Sequence, residues 1–205
     1  MEDRESGTIN AEQYTMLMRP LHPARVAKRS QGGKQLSYVE AWDIRAMLIR
    51  VFGFGNFDAE IVDSHLVYDR DYQNNDGKPM KEIAYFVKFR LRLRDELGRH
   101  IATYTEGAVG SFSGSSDFGG LHDNALKAGA SDALKRCVLN LGTPFGLGLY
   151  DDGSLREVIR KTAVVPDGWT APEPTEAAVA AVQESLGGQV TDVVPTNEPT
   201  EEVPA

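Results

Sequence analysis

Residues 87–94, Val-Lys-Phe-Arg-Leu-Arg-Leu-Arg, constrain the fold more than any other stretch of the chain. Val87, Phe89, Leu91 and Leu93 alternate strictly with Lys88, Arg90, Arg92 and Arg94. A period of two sends successive side chains to opposite faces, so the segment is a strand with one buried and one cationic face. A sheet built on it needs a second layer over its apolar side. Four like charges in a row repel, so the other side needs an anion or facing carboxylates. The strand is predicted over Ile83 to Arg94, with neighbours over Phe57 to Tyr68 and His100 to Gly110. Asn74-Asn-Asp-Gly77 closes the first hairpin, and Asp95 to Arg99, with Gly98, makes the second turn. Together they form a three-stranded antiparallel meander.

The covering layer is predicted at Leu121 to Gly142. Leu126, Ala130, Ala133, Leu134, Cys137, Val138 and Leu141 recur at helical spacing as one apolar stripe, with Gly142 as C-cap and Pro144 just beyond. Lys127, Ser131 and Lys135 stack along one flank, and Arg136 sits on the opposite shoulder. The lone cysteine, Cys137, lies on the stripe as a small buried hydrophobe, which rules out an internal disulfide and suits a reducing compartment.

Residues 1–9 are polar and expected to be loose. Asn10-Ala-Glu-Gln13 reads as a capping box opening a short helix that Pro20 ends. The stretch HPARVAKRSQGGKQLS carries Arg25, Lys28, Arg29 and Lys34 with no acid, and is expected to be a flexible basic connector able to track phosphates. Ser37-Tyr-Val-Glu40 reads as a second capping box for a helix to Phe52, with Val39, Trp42, Met47, Leu48, Val51 and Phe52 in its core. Arg45 and Arg50 on that helix are assigned no function. A short final helix is expected over Ser154 to Lys161. The fold class is therefore α+β, in α-α-β-β-β-α order, with the meander packed on the long helix. The domain is placed at 10–163, followed by an acidic, disordered tail over 164–205. Within the tail, Val179, Val182 and Leu186 read as one transient helical turn or as a peptide for a protein partner.

Charge sharpens the picture. The chain's net −8 comes entirely from its end: from Pro166 onward there are eight acids and no Lys or Arg, leaving 22 acids against 22 bases before it. A neutral body can still bind an anion if its bases share a face. The sequence has no G-x-x-x-x-G-K-[ST] loop for ATP, no zinc-spaced His or Cys and no dense carboxylate cluster, so neither an enzyme nor a cofactor is expected. No apolar run or signal pattern suggests a membrane, and a cytoplasmic location is expected. What remains are three basic elements, the 25–34 stretch, the 88–94 strand face and the helix with Lys127, Lys135 and Arg136. Tyr38, Tyr85, Tyr104 and Phe112 are aromatics able to stack on bases. Cations along a groove with aromatic platforms suit a single strand held without sequence preference.

The same residues resemble the N-terminal annealing domain of the Rad fifty-two family of recombination mediators. The resemblance rests on Lys28 or Arg29 through Gly32, Gly33, Tyr38, Val39 and Glu40, on Phe52 to Phe57, and on Ser131-Asp-Ala-Leu-Lys-Arg through Gly142. It implies closed rings of about ten or eleven subunits, with single-stranded DNA in a groove between meander and long helix, and annealing of complementary strands without ATP during recombination and break repair. Carried over by motif, the inner groove uses Lys28 or Arg29, Tyr38, Lys135 and Arg136. The family's further arginine, a turn beyond the Lys-Arg pair, is Leu139 here. The Arg-rich strand face is expected to compensate, so Lys34, Lys88, Arg90, Arg92, Arg94 and Lys127 complete the expected DNA-binding set. The short chain with its acidic tail suits a phage or bacterial annealing protein. A double-stranded RNA-binding module and a ring-forming virion protein with a genome-neutralising face are the alternatives.

Overall fold

The computed structural model describes residues 6–31, 33–115, 119–150, 153–156, 158–159 and 161–171. Among these the order is α1 (Ala11–Leu17), β1 (Val26–Gln31), β2 (Lys34–Val39), α2 (Ala41–Phe52), β3 (Phe57–Gln73), β4 (Pro79–Arg94), β5 (His100–Ser115) and α3 (Leu121–Leu139). Short 3-10 turns stand at Pro23–Arg25, between α1 and β1, and at Thr143–Phe145, after α3. β3, β4 and β5 form the antiparallel meander in that order, and β1 and β2 form a separate hairpin.

The alternating strand behaves as its pattern requires. Val87, Phe89, Leu91 and Leu93 are buried under α3, and the cations point to the other face. The strands run longer than expected because their far ends carry polar alternation (Asp69, Arg70, Asp71) that apolar periodicity does not register. β3 also carries register shifts between Ile61 and Asp63 and between Leu66 and Tyr68. Extra residues there twist the edge of the sheet.

Several expectations need correction. The basic connector is a hairpin, with Gly33 at φ 76° in its turn, a conformation that favours glycine. Ser37-Tyr-Val-Glu40 is therefore no capping box: its first three residues end β2, and Glu40 caps α2 without a side-chain bond. Trp42 is 70% exposed rather than core. The described residues of 154–161 adopt no helix.

At α3 the buried line differs from the predicted stripe in its first half. Leu121, Ala125 and Gly129 are buried, whereas Leu126 and Ala130 are half-exposed. The helix lies so close to the sheet that a Cβ on Gly110 would sit 2.0 Å from the Gly129 nitrogen and 2.5 Å from the Ala125 carbonyl oxygen. A Cβ on Gly129 would in turn meet Val87 at 2.8 Å. α3 ends at Leu139 with Asn140 as cap, and Gly142, at φ 95°, opens the following turn instead.

The Asn10–Gln13 capping box is present in both directions. Within the described part of the polar start, Gly7 is buried, and its N–H donates to the His100 carbonyl at 2.8 Å. The compact unit that holds the described elements ends at Trp169. Trp169 packs edge-on against Tyr14 at 4.9 Å, its Nε1 donates to Thr15 Oγ1 at 3.1 Å, and Thr162 bonds the Tyr14 hydroxyl. The Val179, Val182 and Leu186 segment lies outside the described residues.

Gly110→Ala should cost about 3 kcal/mol, because backbone rather than a movable side chain blocks the new methyl. Gly119→Ala, facing open space, should stay within about 0.5 kcal/mol. Urea unfolding midpoints compare the two, and equal midpoints would refute the close helix–sheet approach.

Candidate nucleic-acid interface

The register of the hairpin decides which side chains meet α3. Val39 is buried in the core, so its neighbour Tyr38 faces outward. Tyr38 pairs with Ala27 and Leu36 with Arg29, which puts Arg29, Leu36 and Tyr38 on one face. Lys28, paired with Ser37, is on the other. From α3, Lys135 reaches the same ring: its Nζ lies 5.1 Å from the Tyr38 centroid, and the Arg29 guanidinium carbon lies 5.4 Å from it. Such distances let the negative face of the ring hold both cations.

Tyr38 is fixed at its far end too. Its hydroxyl donates to Glu40 Oε1 at 2.9 Å, and that bond raises the phenol above its ordinary range. Around it Arg29, Leu36, Ser37 and Tyr38 from the hairpin face Lys135, Arg136 and Leu139 from α3 across an open cleft of about 500 Å³. Tyr150 closes one side, its hydroxyl accepting the Val39 N–H at 3.0 Å. Asp132 also lines the cleft, 3.7 Å from Lys135 Nζ.

Of the residues singled out in the sequence, the fold thus gathers Arg29, Tyr38, Lys135 and Arg136. It places the others elsewhere. Lys28 points from the opposite face of the hairpin, and the side chain of Lys34 lies outside the described residues. Lys127 is exposed, paired with Asp123, and about 12 Å along the helix axis from Lys135. The strand cations occupy the sheet face away from α3. Glu60 lies 3.4 Å from both Arg90 and Arg92, and Asp58 binds Arg94. Lys88 is exposed, opposite Asp63 in the register. The compensation that the cationic row demands therefore comes largely from β3, and the row does not join the cleft.

Arg25 is also spoken for. Its Nε and Nη2 reach Asp43 Oδ2 at 2.8 and 2.7 Å, and its Nη1 donates to the Pro144 carbonyl at 2.8 Å. This pair, with Asp43 buried and Arg25 half-buried, ties the base of the hairpin to α2 and to the turn after α3.

Tyr85 packs with Ile83, Leu121 and Ala125, and Tyr104 packs against the main core; neither lines the cleft. Burial pushes the Cys137 thiol up to about 11, which leaves it protonated and unreactive at neutral pH. Sequence reasoning missed Leu36 and Tyr150. Tyr150 left no periodic signal, since it stands in an irregular loop beyond α3.

Among the described residues no cluster of His, Cys, Asp and Glu is assembled to hold a metal. None of their helices is long and apolar enough to cross a membrane.

The carboxylates facing the cationic row give a pH dependence. The hydrogen bond from Arg94 holds Asp58 below the usual carboxylate range, and the bond from Arg70 does the same for Glu82. Groups with depressed folded values stabilise fully above their unfolded pKa and lose that stabilisation as pH falls through the folded one. Stability should therefore hold down to about pH 4.5 and decline below it. In Asp58→Asn the decline should be shallower, as followed by thermal unfolding between pH 6 and pH 2.5. An unchanged slope in that variant would show that the pair adds nothing.

A sequence model described as "Rad52/22 family double-strand break repair protein" matches residues 10–166, which contain the whole cleft. The DNA repair and recombination protein rti1 of Schizosaccharomyces pombe is 26% identical over 155 residues, covering 71% of this chain and 37% of that protein. The DNA repair and recombination protein rad22 of the same yeast is 29% identical over 146 residues, 69% of this chain and 29% of that one. The DNA repair and recombination protein RAD52 of Kluyveromyces lactis is 24% identical over 169 residues, 82% and 36% respectively. The chain thus spans little more than a third of these curated relatives at most. They are fungal and do not speak to a phage or bacterial source.

Proposed function

The chain belongs to the Rad52/22 family of double-strand break repair proteins, and from that premise we propose that it binds single-stranded DNA and anneals complementary strands without ATP in recombination and repair. The observation that carries the reading is the convergence of Arg29, Lys135 and Arg136 on one open cleft, two of them held against the Tyr38 ring. Three cations on two elements match a phosphate backbone, which repeats its charge at intervals and asks for no base recognition. Tyr38 works here as an organiser. Its ring is already engaged by the two cations, so it keeps them in place instead of stacking on a base. With phosphates held in the cleft, the bases stay outward and open to an incoming strand.

Self-assembly into a ring of ten or eleven subunits is part of the same proposal. The meander leaves β3 as an exposed edge, with Ile61, Val62, Leu66 and Val67 all facing solvent in part. An apolar edge of that length favours pairing with another chain. Ring closure removes such edges, and the family resemblance supports it. The functional domain in this reading runs to Trp169, and its site of action is inside the cell, wherever the DNA under repair lies.

Lys135→Ala with Arg136→Ala should weaken single-strand binding severely without unfolding the chain. Each phosphate that goes unneutralised should flatten the slope of log affinity against log salt by about 0.7. An unchanged slope and affinity would remove α3 from the binding site. Annealing of complementary oligonucleotides without nucleotide separates this reading from a double-stranded RNA module or a genome-packaging ring. In light scattering, ten or eleven copies of a 22.5 kDa chain should give about 225 to 250 kDa. A monomer at micromolar concentration would sink the ring.

A further inference from the structure

The cleft supplies charge, but of its two aromatics Tyr38 is engaged by Arg29 and Lys135, and Tyr150 is tied through its hydroxyl to the Val39 N–H. Single strands are commonly held by cations together with a free aromatic platform. The next aromatic along the chain is Trp42, in the first turn of α2. It lies four positions beyond Tyr38, which bounds the distance between their Cα atoms at about 14 Å. It is 70% exposed, on the side of α2 opposite Ile44, Met47, Leu48 and Val51, all of which are buried.

The charges of α2 are sorted in the same sense. Asp43, its only acid, is turned inward onto Arg25 and buried. Arg45 and Arg50 are exposed, so the solvent face of the helix carries cations and Trp42 with no carboxylate of its own. A face of this kind complements a ligand that is both polyanionic and stackable. A second copy of the chain would have to bury both arginines against acids.

We propose that the outer face of α2 is a second station for the single strand held at the Tyr38 cleft, with Trp42 stacking on a base and Arg45 meeting a phosphate. The inference rests on the single-strand function proposed for the cleft and extends the path of the strand beyond the family's motif residues.

The chain has two tryptophans, and the other, Trp169, is packed against Tyr14, so intrinsic fluorescence reports on Trp42 directly. The full chain is titrated with oligothymidylate, following tryptophan emission and, on a labelled oligonucleotide, anisotropy. The wild-type emission should be quenched on binding, and Trp42→Phe should abolish most of that change while still binding by anisotropy. Trp42→Ala should weaken binding by about five- to 150-fold, the range for one stacked base, with the salt slope unchanged. Arg45→Ala should flatten the slope by about 0.7.

Binding by anisotropy with no change in Trp42 emission would overturn the inference and leave the cleft intact. So would emission that follows protein dilution instead of DNA, which assigns this face to an interface between copies. Absence of any binding by anisotropy would overturn the single-strand function itself, and the second station with it.

Discussion

Everything that positions the cleft depends on how closely α3 rests on the sheet. At Gly110 and Gly129 two backbones approach with no Cβ between them, and Ala125 adds no bulk at the same place. This approach lies between two apolar clusters, a small one around Ile83, Leu121 and Ala125 and the main core with Leu134, Val138 and Leu141. Small residues thus draw the first half of the helix onto β4 and β5, while larger side chains support the second half against α2 and the turn after α3. The height of Lys135 and Arg136 relative to the hairpin is set by that arrangement. Their position near the end of α3 also suits the negative end of the helix dipole.

The neutral body gains a cationic site by pairing off charges elsewhere. Asp58 and Glu60 answer the arginines of β4, Asp43 answers Arg25, and Glu82 answers Arg70. Carboxylates are placed against cations that must stay put, and among the described residues Asp132 is the only acid lining the cleft. A partly exposed cation at the edge of an open cleft keeps its hydration and its reach for a mobile anion. One anchored in a cross-strand pair does not. The difference between a structural arginine and a binding arginine here is therefore the phase of the facing strand.

How much of this could be read in advance follows from the same physics. The meander and the buried side of β4 were legible because alternation over eight residues has one structural solution. The phase of Asp58 and Glu60, spaced by two like the arginines, was also in the sequence and identifies their partner strand. The buried line of α3 was harder, because it runs Leu121, Ala125, Gly129, Ala133, Cys137, and small residues weigh little beside Leu126 in an apolar count. The hairpin was masked by a coincidence of residue types: Ser37 and Glu40 sit at capping-box spacing, yet Tyr38 and Val39 between them favour a strand. Of the cleft, the motif residues were legible, but choosing Arg29 over Lys28 required the register.

The expectation that Trp42 is core rests on the same misplaced helix start. A helix beginning at Ser37 invites an apolar stripe through Val39, Trp42 and the later core positions. Once β2 runs to Val39, α2 begins at Ala41, and its buried positions are Asp43, Ile44, Met47, Leu48, Val51 and Phe52. Asp43 then occupies an inward position that an apolar residue would ordinarily take, and the Arg25 pair stabilises it there. Trp42 and Arg45 are left facing solvent together. The burial of Asp43 on Arg25 and the outward position of Trp42 both move the solvent face of α2 toward the chemistry of the neighbouring cleft.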